Sequence, residues 1–247
     1  MSDDFFIGWA AKPPARDRRF LLAAAAGFVV GAGALGGSLG RRGLAPGPGA
    51  WNQADVRTWT GLLVRAPYPM LLMPYGRGVR TALLATTGKR GVATRIPDGL
   101  SGVVTVRASA IARGAGLMLA VVDGADWISP SDTAAPAIPA PTDLGEVALA
   151  GEILDAKCWL GAMRPGFGKT HKSCAALCAE GGLPLAFCTA GSCGDALSAP
   201  LFVDTDGNAH APAIRPLVAD PVLAVGRLVR FGDLTTFRVA PTAIRRL

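Results

Sequence analysis

An uncharged stretch near the N-terminus constrains this chain more than any other feature. Residues 20–40, FLLAAAAGFVVGAGALGGSLG, contain no charged side chain over 21 positions. About 20 consecutive apolar residues allow an α-helix to cross the hydrocarbon core of a bilayer. The sequence therefore predicts a single transmembrane helix over residues 20–40, preceded by an N-terminal segment of residues 1–19.

Basic residues on both sides of this stretch bear on its orientation. Arg16, Arg18 and Arg19 precede it, and Arg41 and Arg42 follow it. The positive-inside rule favours a cytoplasmic N-terminus. Residues 43–247 would then lie on the periplasmic side of a bacterial inner membrane. The alternative is an export signal cleaved near residues 32–34, which would release the same residues outside the cytoplasm.

Small residues in the predicted helix favour close contact with another helix. Three GxxxG pairs are present, Gly27 with Gly31, Gly33 with Gly37, and Gly36 with Gly40. This spacing lets two helix backbones approach closely in a membrane, although Gly is also frequent in membrane helices that have no partner. The first interpretation predicts that other membrane protein subunits bind this helix.

Beyond the helix, the composition favours short strands and turns. The chain has 32 Gly and 19 Pro, and only 6% of its residues are aromatic. Short apolar β segments separated by turn dipeptides such as Asp98-Gly99 are typical of small β-barrels. We predict a mainly β protein with two OB-like barrels, at residues 51–128 and 144–247. A linker at 41–50 precedes the first barrel and a Pro/Ala-rich linker at 129–143 follows it.

The two predicted barrels resemble each other in sequence, which indicates an internal duplication. Three pairs of positions correspond, namely Gly61 with Gly151, Val103 with Val222, and, with a one-residue slip, Arg113-Gly114-Ala115 with Phe231-Gly232-Asp233. The first two positions are 42 residues apart in the first copy and 71 in the second. The second barrel is therefore predicted to carry an inserted short helix.

The inserted segment holds the densest chemistry of the sequence. Cys158 follows a strand-like run, and His171, Cys174 and Cys178 lie at helical positions i, i+3 and i+7. We expect Thr170 to cap this helix and Gly181 to follow its end. The imidazole and three sulfur atoms would then converge on one point.

Three kinds of chemistry are open to these residues. Exported cysteines commonly form disulfides, here among Cys158, Cys174, Cys178, Cys188 and Cys193, of which the last two can pair locally. A Cys₃His set of Cys158, His171, Cys174 and Cys178 can instead bind zinc, and soft thiolates also suit copper(I). Nearby basic residues would favour a reactive thiolate in a thiol-based oxidoreductase, although no CxxC motif is present.

A basic cluster in the first barrel predicts a second kind of contact. Its members are Arg77, Arg80, Lys89, Arg90 and Arg95. They can form a solvated face, or they can bind anionic lipid at the membrane surface. A nucleic-acid partner is disfavoured because the chain is predicted to be exported and has few aromatics for base stacking. In addition, residues 144–247 are nearly neutral, with ten basic and nine acidic side chains.

The segment Cys158…His171-x-x-Cys174-Ala-x-x-Cys178-x-x-Gly-Gly-x-Pro184 resembles one found in a group of bacterial exported or membrane-anchored proteins with an OB-like barrel. The resemblance covers roughly residues 145–247. It implies architecture and location, and it names no activity. Cys188 and Cys193 look like additions to the pattern of that group, which favours a local disulfide between them.

Taken together, these features predict a membrane-anchored periplasmic accessory subunit that is associated with redox proteins. In that role the Cys/His cluster serves as a disulfide staple or a metal site, and a non-catalytic role is favoured. The thiol-based oxidoreductase and the zinc or copper protein remain the alternatives.

Overall fold

A computed structural model describes residues 14–44, 48–210 and 212–247 of this chain. Helix α1 spans Ala15–Leu44, and Pro46–Leu247 form a separate compact unit. Most of the predicted segment 1–19 and part of the predicted linker 41–50 lie outside the described residues.

Helix α1 is long and apolar enough, over Ala15–Leu39, to cross a membrane. This confirms the predicted apolar helix, and a retained anchor and a signal sequence share this property. A Cβ added at Gly27, Gly31 or Gly33 would meet no other described atom within 4 Å. The proposed contact with another helix therefore stays a prediction.

The first barrel is a closed sheet of five strands with one short additional strand. Its strands are β1 (Ala50–Val64), β2 (Met70–Tyr75), β3 (Gly78–Thr86), β4 (Val103–Arg113), β5 (Gly116–Val121) and β6 (Ile128–Pro130). The order β1-β2-β3-β5-β4 closes through pairing of β4 with β1, and β3 runs parallel to β5. This is the strand order of an OB-like barrel.

The second barrel repeats this topology. Its strands are β7 (Thr142–Asp155), β8 (Leu185–Thr189), β9 (Leu201–Val203), β10 (Pro221–Phe231), β11 (Leu234–Arg238) and β12 (Ile244–Arg246). Pairing of β10 with β11 closes the barrel, and β9 runs parallel to β11. The predicted fold class of two small OB-like barrels is confirmed.

Equivalent residues occupy equivalent places in the two barrels. Gly61 lies opposite Val104 across β1 and β4, and Gly151 lies opposite Val222 across β7 and β10. Val222 therefore corresponds to Val104, one residue beyond the predicted Val103. The main difference is the connection between the first two strands, which is residues 65–69 in one barrel and 156–184 in the other. Helix α2 (Lys172–Glu180) lies in this longer connection, as the spacing predicted.

The strands of the first barrel are apolar on both faces because one face fills the barrel and the other packs against the second barrel. Leu71 and Leu119 belong to the core of the first barrel. Their neighbours Met70 and Met118 belong to a separate cluster that they share with second-barrel residues such as Leu201. Continuous apolar runs such as Met70–Met73 follow from this double burial.

Two buried cations connect the barrels through backbone carbonyls. Lys157 Nζ donates to the carbonyl oxygens of Thr86, Thr87 and Gly88 at 2.7, 2.7 and 2.6 Å. Three acceptors match the three hydrogens of an ammonium group, which has no lone pair. Lys157 is therefore held as the charged form, although burial lowers its pKa.

Arg113 makes the second connection, from the end of β4 into the loop that follows β8. Its guanidinium donates to the carbonyl oxygens of Ala196, Trp159, Cys193 and Gly194 at 2.5 to 2.9 Å. It also lies over the Trp159 ring, with 4.1 Å between the guanidinium carbon and the ring centroid. The relative position of the barrels is thus fixed by polar contacts as well as by apolar packing.

Tyr68 makes the barrel interface sensitive to alkaline pH. It is buried between the barrels beside the Leu185 backbone, and burial raises its pKa to about 12 from an ordinary value of 10.0. The unfolded chain therefore loses this proton first as the pH rises, and stability falls through the window from 10 to 12. A shift of two units corresponds to about 3 kcal/mol.

We expect urea unfolding of the wild type to show this loss between about pH 10 and pH 12. The Tyr68→Phe variant has no phenol at this position, so its unfolding free energy should fall by about 3 kcal/mol less over the same window. Equal pH profiles for the two proteins would contradict the prediction.

Candidate metal and thiol site

The three free cysteines meet at the start of the insertion. Cys158 lies in a turn of Cys158–Ala162 shortly after β7, and Cys174 and Cys178 lie on α2. Their sulfur atoms all lie within 4.8 Å of one another, and Cys158 Sγ is 4.0 Å from Cys174 Sγ. Cys158 and Cys178 are buried, whereas Cys174 is half-buried.

His171 lies beside this sulfur triangle rather than completing it. Lys169–His171 form a 3₁₀ turn, and α2 begins only at Lys172. The predicted i, i+3, i+7 register therefore does not extend to His171. His171 groups instead with Asp155 and Cys158, and the ligand atoms of these three residues lie within 4.8 Å of one another.

The sequence predicted where α2 ends but not which residue caps its start. His171 occupies the N-cap position and makes no side-chain capping bond, so the predicted Thr170 cap is wrong. The helix ends at Glu180, directly before Gly181 as predicted. Gly182 has φ of 78°, a backbone conformation that glycine adopts without strain.

Cys188 and Cys193 form a disulfide, with 5.4 Å between their Cα atoms. It links the end of β8 to the loop whose carbonyls accept hydrogen bonds from Arg113. Glu152 lies close to both sulfur atoms, but the bond between these sulfurs leaves no thiolate for an ion there. The disulfide thus removes two cysteines from the candidate ligands and leaves three.

A lysine of the first barrel contacts the half-buried thiol. Lys89 Nζ lies 2.7 Å from Cys174 Sγ. The hydrogen bond to this sulfur is the main reason that the pKa of Lys89 lies above its ordinary value. The backbone supports the contact, because Gly91 N–H donates to the carbonyl of Gly181 at 2.9 Å.

Asp155 is the carboxylate at the base of the site. Its Oδ1 accepts from the backbone N–H groups of Lys157 and Cys158 at 2.9 and 3.4 Å. Burial by itself would raise the pKa of Asp155, but the facing polar hydrogens of His171, Cys158 and Cys178 outweigh burial and lower it. Asp155 is thus held as a carboxylate.

The pKa of Cys158 moves in the opposite direction. Its interaction with Cys178, followed by burial and the Asp155 charge, raises the pKa of the Cys158 thiol. The raised pKa favours the protonated thiol over the thiolate. Exchange of thiol protons for metal is usual at cysteine sites.

Two polar atoms in this site have no hydrogen-bond partner among the described residues. They are Asp155 Oδ2 and His171 Nε2, which are 4.0 Å apart. Their side chains are 0% and 3% exposed. A buried polar atom without a partner costs about 1–3 kcal/mol, so this pair calls for an explanation.

The basic cluster of the first barrel is partly engaged within the chain. Lys89 contacts Cys174, and Arg80 lies over the Tyr75 ring. Arg95 lies over the Trp127 ring and donates to backbone carbonyls. The predicted contact with anionic lipid therefore stays a prediction.

Comparisons of this chain with protein-family models, with curated proteins and with solved structures found no match.

Proposed function

We propose that this chain is a membrane-anchored protein of the periplasmic side that holds a metal ion between Cys158, Cys174 and Cys178. One observation carries the proposal, namely three free sulfur atoms within 4.8 Å of one another. Two thiolates bound to one tetrahedral zinc ion at about 2.3 Å lie about 3.8 Å apart. The 4.0 Å between Cys158 Sγ and Cys174 Sγ matches this spacing.

A disulfide staple explains these three residues less well. Three thiols allow one bridge at most and leave the third sulfur alone in a buried site. The local bond between Cys188 and Cys193 already supplies a covalent link in this barrel. A metal ion uses all three sulfurs at once, and both zinc and copper(I) accept thiolate ligands.

A thiol-based oxidoreductase is the second candidate, and the contact between Lys89 and Cys174 favours it. A neighbouring ammonium group stabilises a thiolate, and Cys174 is the most exposed of the three free cysteines. The Cys174 thiolate would attack a disulfide substrate, form a mixed disulfide and release one substrate thiolate. Cys158 would then pass its proton to the released substrate thiolate and attack the Cys174 sulfur of the mixed disulfide. This displaces the second substrate thiolate and leaves a Cys158–Cys174 disulfide.

The anchor and the partners form the wider part of the proposal. Helix α1 would hold the barrels at the membrane and bind other membrane subunits through Gly27, Gly31, Gly33 and Gly37. The accessory role fits a chain whose metal site is held among buried side chains.

Replacing Gly31 and Gly33 with Ile should then reduce cross-linking of this chain to neighbouring subunits in membranes, because the larger side chains keep a second helix from approaching closely.

The decisive experiment combines metal analysis and thiol alkylation of the full chain in detergent. We expect bound zinc or copper, with Cys158, Cys174 and Cys178 protected from alkylation until a chelator is added. The Cys174→Ser variant should lose this metal. The double variant Cys188→Ser/Cys193→Ser is the matched control, because it removes two cysteines outside the triangle and should keep the metal.

Two results would count against the metal site. Metal-free protein with rapidly alkylated Cys174 would favour the oxidoreductase. Metal-free protein with a Cys158–Cys174 disulfide would point the same way, since that is the oxidised product of the thiol reaction.

A further inference from the structure

Asp155 and His171 lie beside the sulfur triangle with one unpartnered atom each. Asp155 Oδ2 and His171 Nε2 face each other at 4.0 Å, and both are buried without a hydrogen-bond partner among the described residues. The ligand atoms of these two residues and of Cys158 lie within 4.8 Å of one another. Cys158 therefore belongs to two groups, the sulfur triangle and this second group.

Asp155 has one oxygen left for a partner. Its Oδ1 accepts from the backbone N–H groups of Lys157 and Cys158, and its Oδ2 faces the imidazole. An ionised carboxylate accepts hydrogen bonds and donates none. The partner that Oδ2 needs is therefore an N–H group, and the nitrogen that faces it is His171 Nε2.

An imidazole can serve two partners at once. In the neutral ring one nitrogen carries a hydrogen and the other carries a lone pair. If Nε2 donates its hydrogen to Asp155, Nδ1 keeps the lone pair that a metal ion needs. A shift of about 1 Å closes the 4.0 Å gap to the length of a hydrogen bond.

The alternative, in which Asp155 itself binds the ion, leaves one atom unsatisfied. His171 Nε2 would then stay buried without a partner, at a cost of about 1–3 kcal/mol. With His171 as the ligand, a single hydrogen bond satisfies both unpartnered atoms. A carboxylate behind a metal-bound histidine is also a usual arrangement, and it fixes which ring nitrogen carries the hydrogen.

The backbone holds the imidazole close to the carboxylate. The His171 N–H donates to the carbonyl of Gly168 at 2.9 Å, and the Gly168 N–H donates to Glu152 Oε1 at 2.7 Å. Glu152 and Asp155 both belong to β7. His171 also directly precedes α2, which carries Cys174 and Cys178. The strand and the helix thus position the imidazole together.

We infer that His171 Nδ1 is the fourth ligand of the ion in the sulfur triangle, that Asp155 positions the ring through Nε2–H, and that the ion is zinc. This inference rests on the proposed metal function and adds a ligand, a positioning residue and the identity of the metal. Three thiolates alone suit zinc or copper(I). Three sulfurs and one imidazole nitrogen form the tetrahedral Cys₃His set of structural zinc sites.

The first test observes the ligands directly in the zinc-loaded full chain in detergent. X-ray absorption should show three sulfurs at about 2.3 Å and one nitrogen at about 2.0–2.1 Å from the ion. Nitrogen NMR should show one histidine with its hydrogen on Nε2 and its Nδ1 bound to metal. The chain has two histidines, so the signal that His210→Gln removes belongs to His210.

The second test separates the ligand from the residue that positions it. His171→Gln should keep three sulfur ligands, lose the nitrogen and bind zinc more weakly. In Asp155→Asn the amide oxygen can accept from the backbone N–H groups, and the amide NH₂ then faces Nε2. The ring would carry its hydrogen on Nδ1, so zinc affinity should fall by about 10–100-fold. Copper(I) affinity should change little in both variants, because copper(I) prefers the sulfurs.

His210→Gln is the matched control for the loss of an imidazole. His210 also lacks a hydrogen-bond partner for its ring nitrogens among the described residues, and it stacks on Phe202 with 4.5 Å between ring centroids. It is absent from the candidate ligand groups of the described residues. This variant should bind zinc like the wild type.

The inference and the proposed function fail in different ways. Zinc with three sulfurs and no nitrogen ligand would overturn the inference and leave the sulfur site standing. Zinc bound through Nε2, or unchanged zinc affinity in Asp155→Asn, would overturn it as well. A chain that retains copper(I) but not zinc would have the same consequence. Binding of neither metal would remove both proposals.

Discussion

The Cys158→Ser variant is expected to bind no metal and to lose the whole of its metal-linked stability. Cys158 contributes to both ligand groups, so its loss leaves two sulfurs on one side and an Asp–His pair on the other. Even residues that only support metal ligands are worth about 10–100-fold in affinity. The loss of a shared ligand should therefore lower affinity by more than about 100-fold.

Stability supplies an independent measurement of this loss. An ion that binds the folded state stabilises it by about 4 kcal/mol when its free concentration is about 1,000 times Kd. Urea unfolding of the metal-loaded wild type should show a shift of this size after chelation. The Cys158→Ser variant should show none, and its serine hydroxyl can donate to the nearby Asp155 carboxylate. An equal chelator effect in both proteins would place the ion elsewhere.

The convergence of the three cysteines could be predicted because the sequence places them on one short segment. Cys174 and Cys178 lie one helical turn apart on α2, and Cys158 follows the strand that leads into the insertion. The same reasoning placed His171 on the helix, where a 3₁₀ turn precedes α2 instead. Periodicity predicts which residues share a face only within one regular element.

The charged surroundings of the site could not be predicted from local spacing. Lys89 lies 85 residues before Cys174, in the other barrel. Its approach depends on how the barrels pack, which no local pattern specifies.

Asp155 was missed for a different reason. It reads as the last polar residue of a strand, and only its complete burial distinguishes it from an ordinary strand end.

The duplication was predictable at the level of strands, because equivalent glycines mark equivalent turns. Gly114 and Gly232 have φ of 57° and 60° in the turn between the fourth and fifth strands of each barrel. Only glycine adopts such values without strain, so the pattern survives where side chains differ. The apolar contact between the barrels has no such mark, since its residues are ordinary apolar side chains on outward faces.

The Arg113→Met variant should lose about 3–5 kcal/mol of unfolding free energy, because it leaves buried backbone carbonyls without a donor at about 1–3 kcal/mol each. Arg113 is 4% exposed, and its guanidinium donates to four backbone carbonyls of the second barrel. Methionine fills much of the volume but donates no hydrogen bond, so these carbonyls lose their partner. The unfolding free energy of Arg113→Lys should lie between those of the wild type and Arg113→Met, because an ammonium group has three donors but lacks the planar arrangement of the guanidinium.

The matched control lies on the same strand. Arg107 on β4 is exposed and pairs with Asp126 at 2.6 Å, and such surface pairs are worth about 0–1 kcal/mol. Urea unfolding should therefore separate Arg107→Met, with a small effect, from Arg113→Met, with a large one. The metal count of Arg113→Met should stay that of the wild type, because Arg113 contacts the disulfide loop and Trp159 and none of the three free sulfur atoms. Equal, small losses in both variants would show that apolar packing alone holds the barrels together.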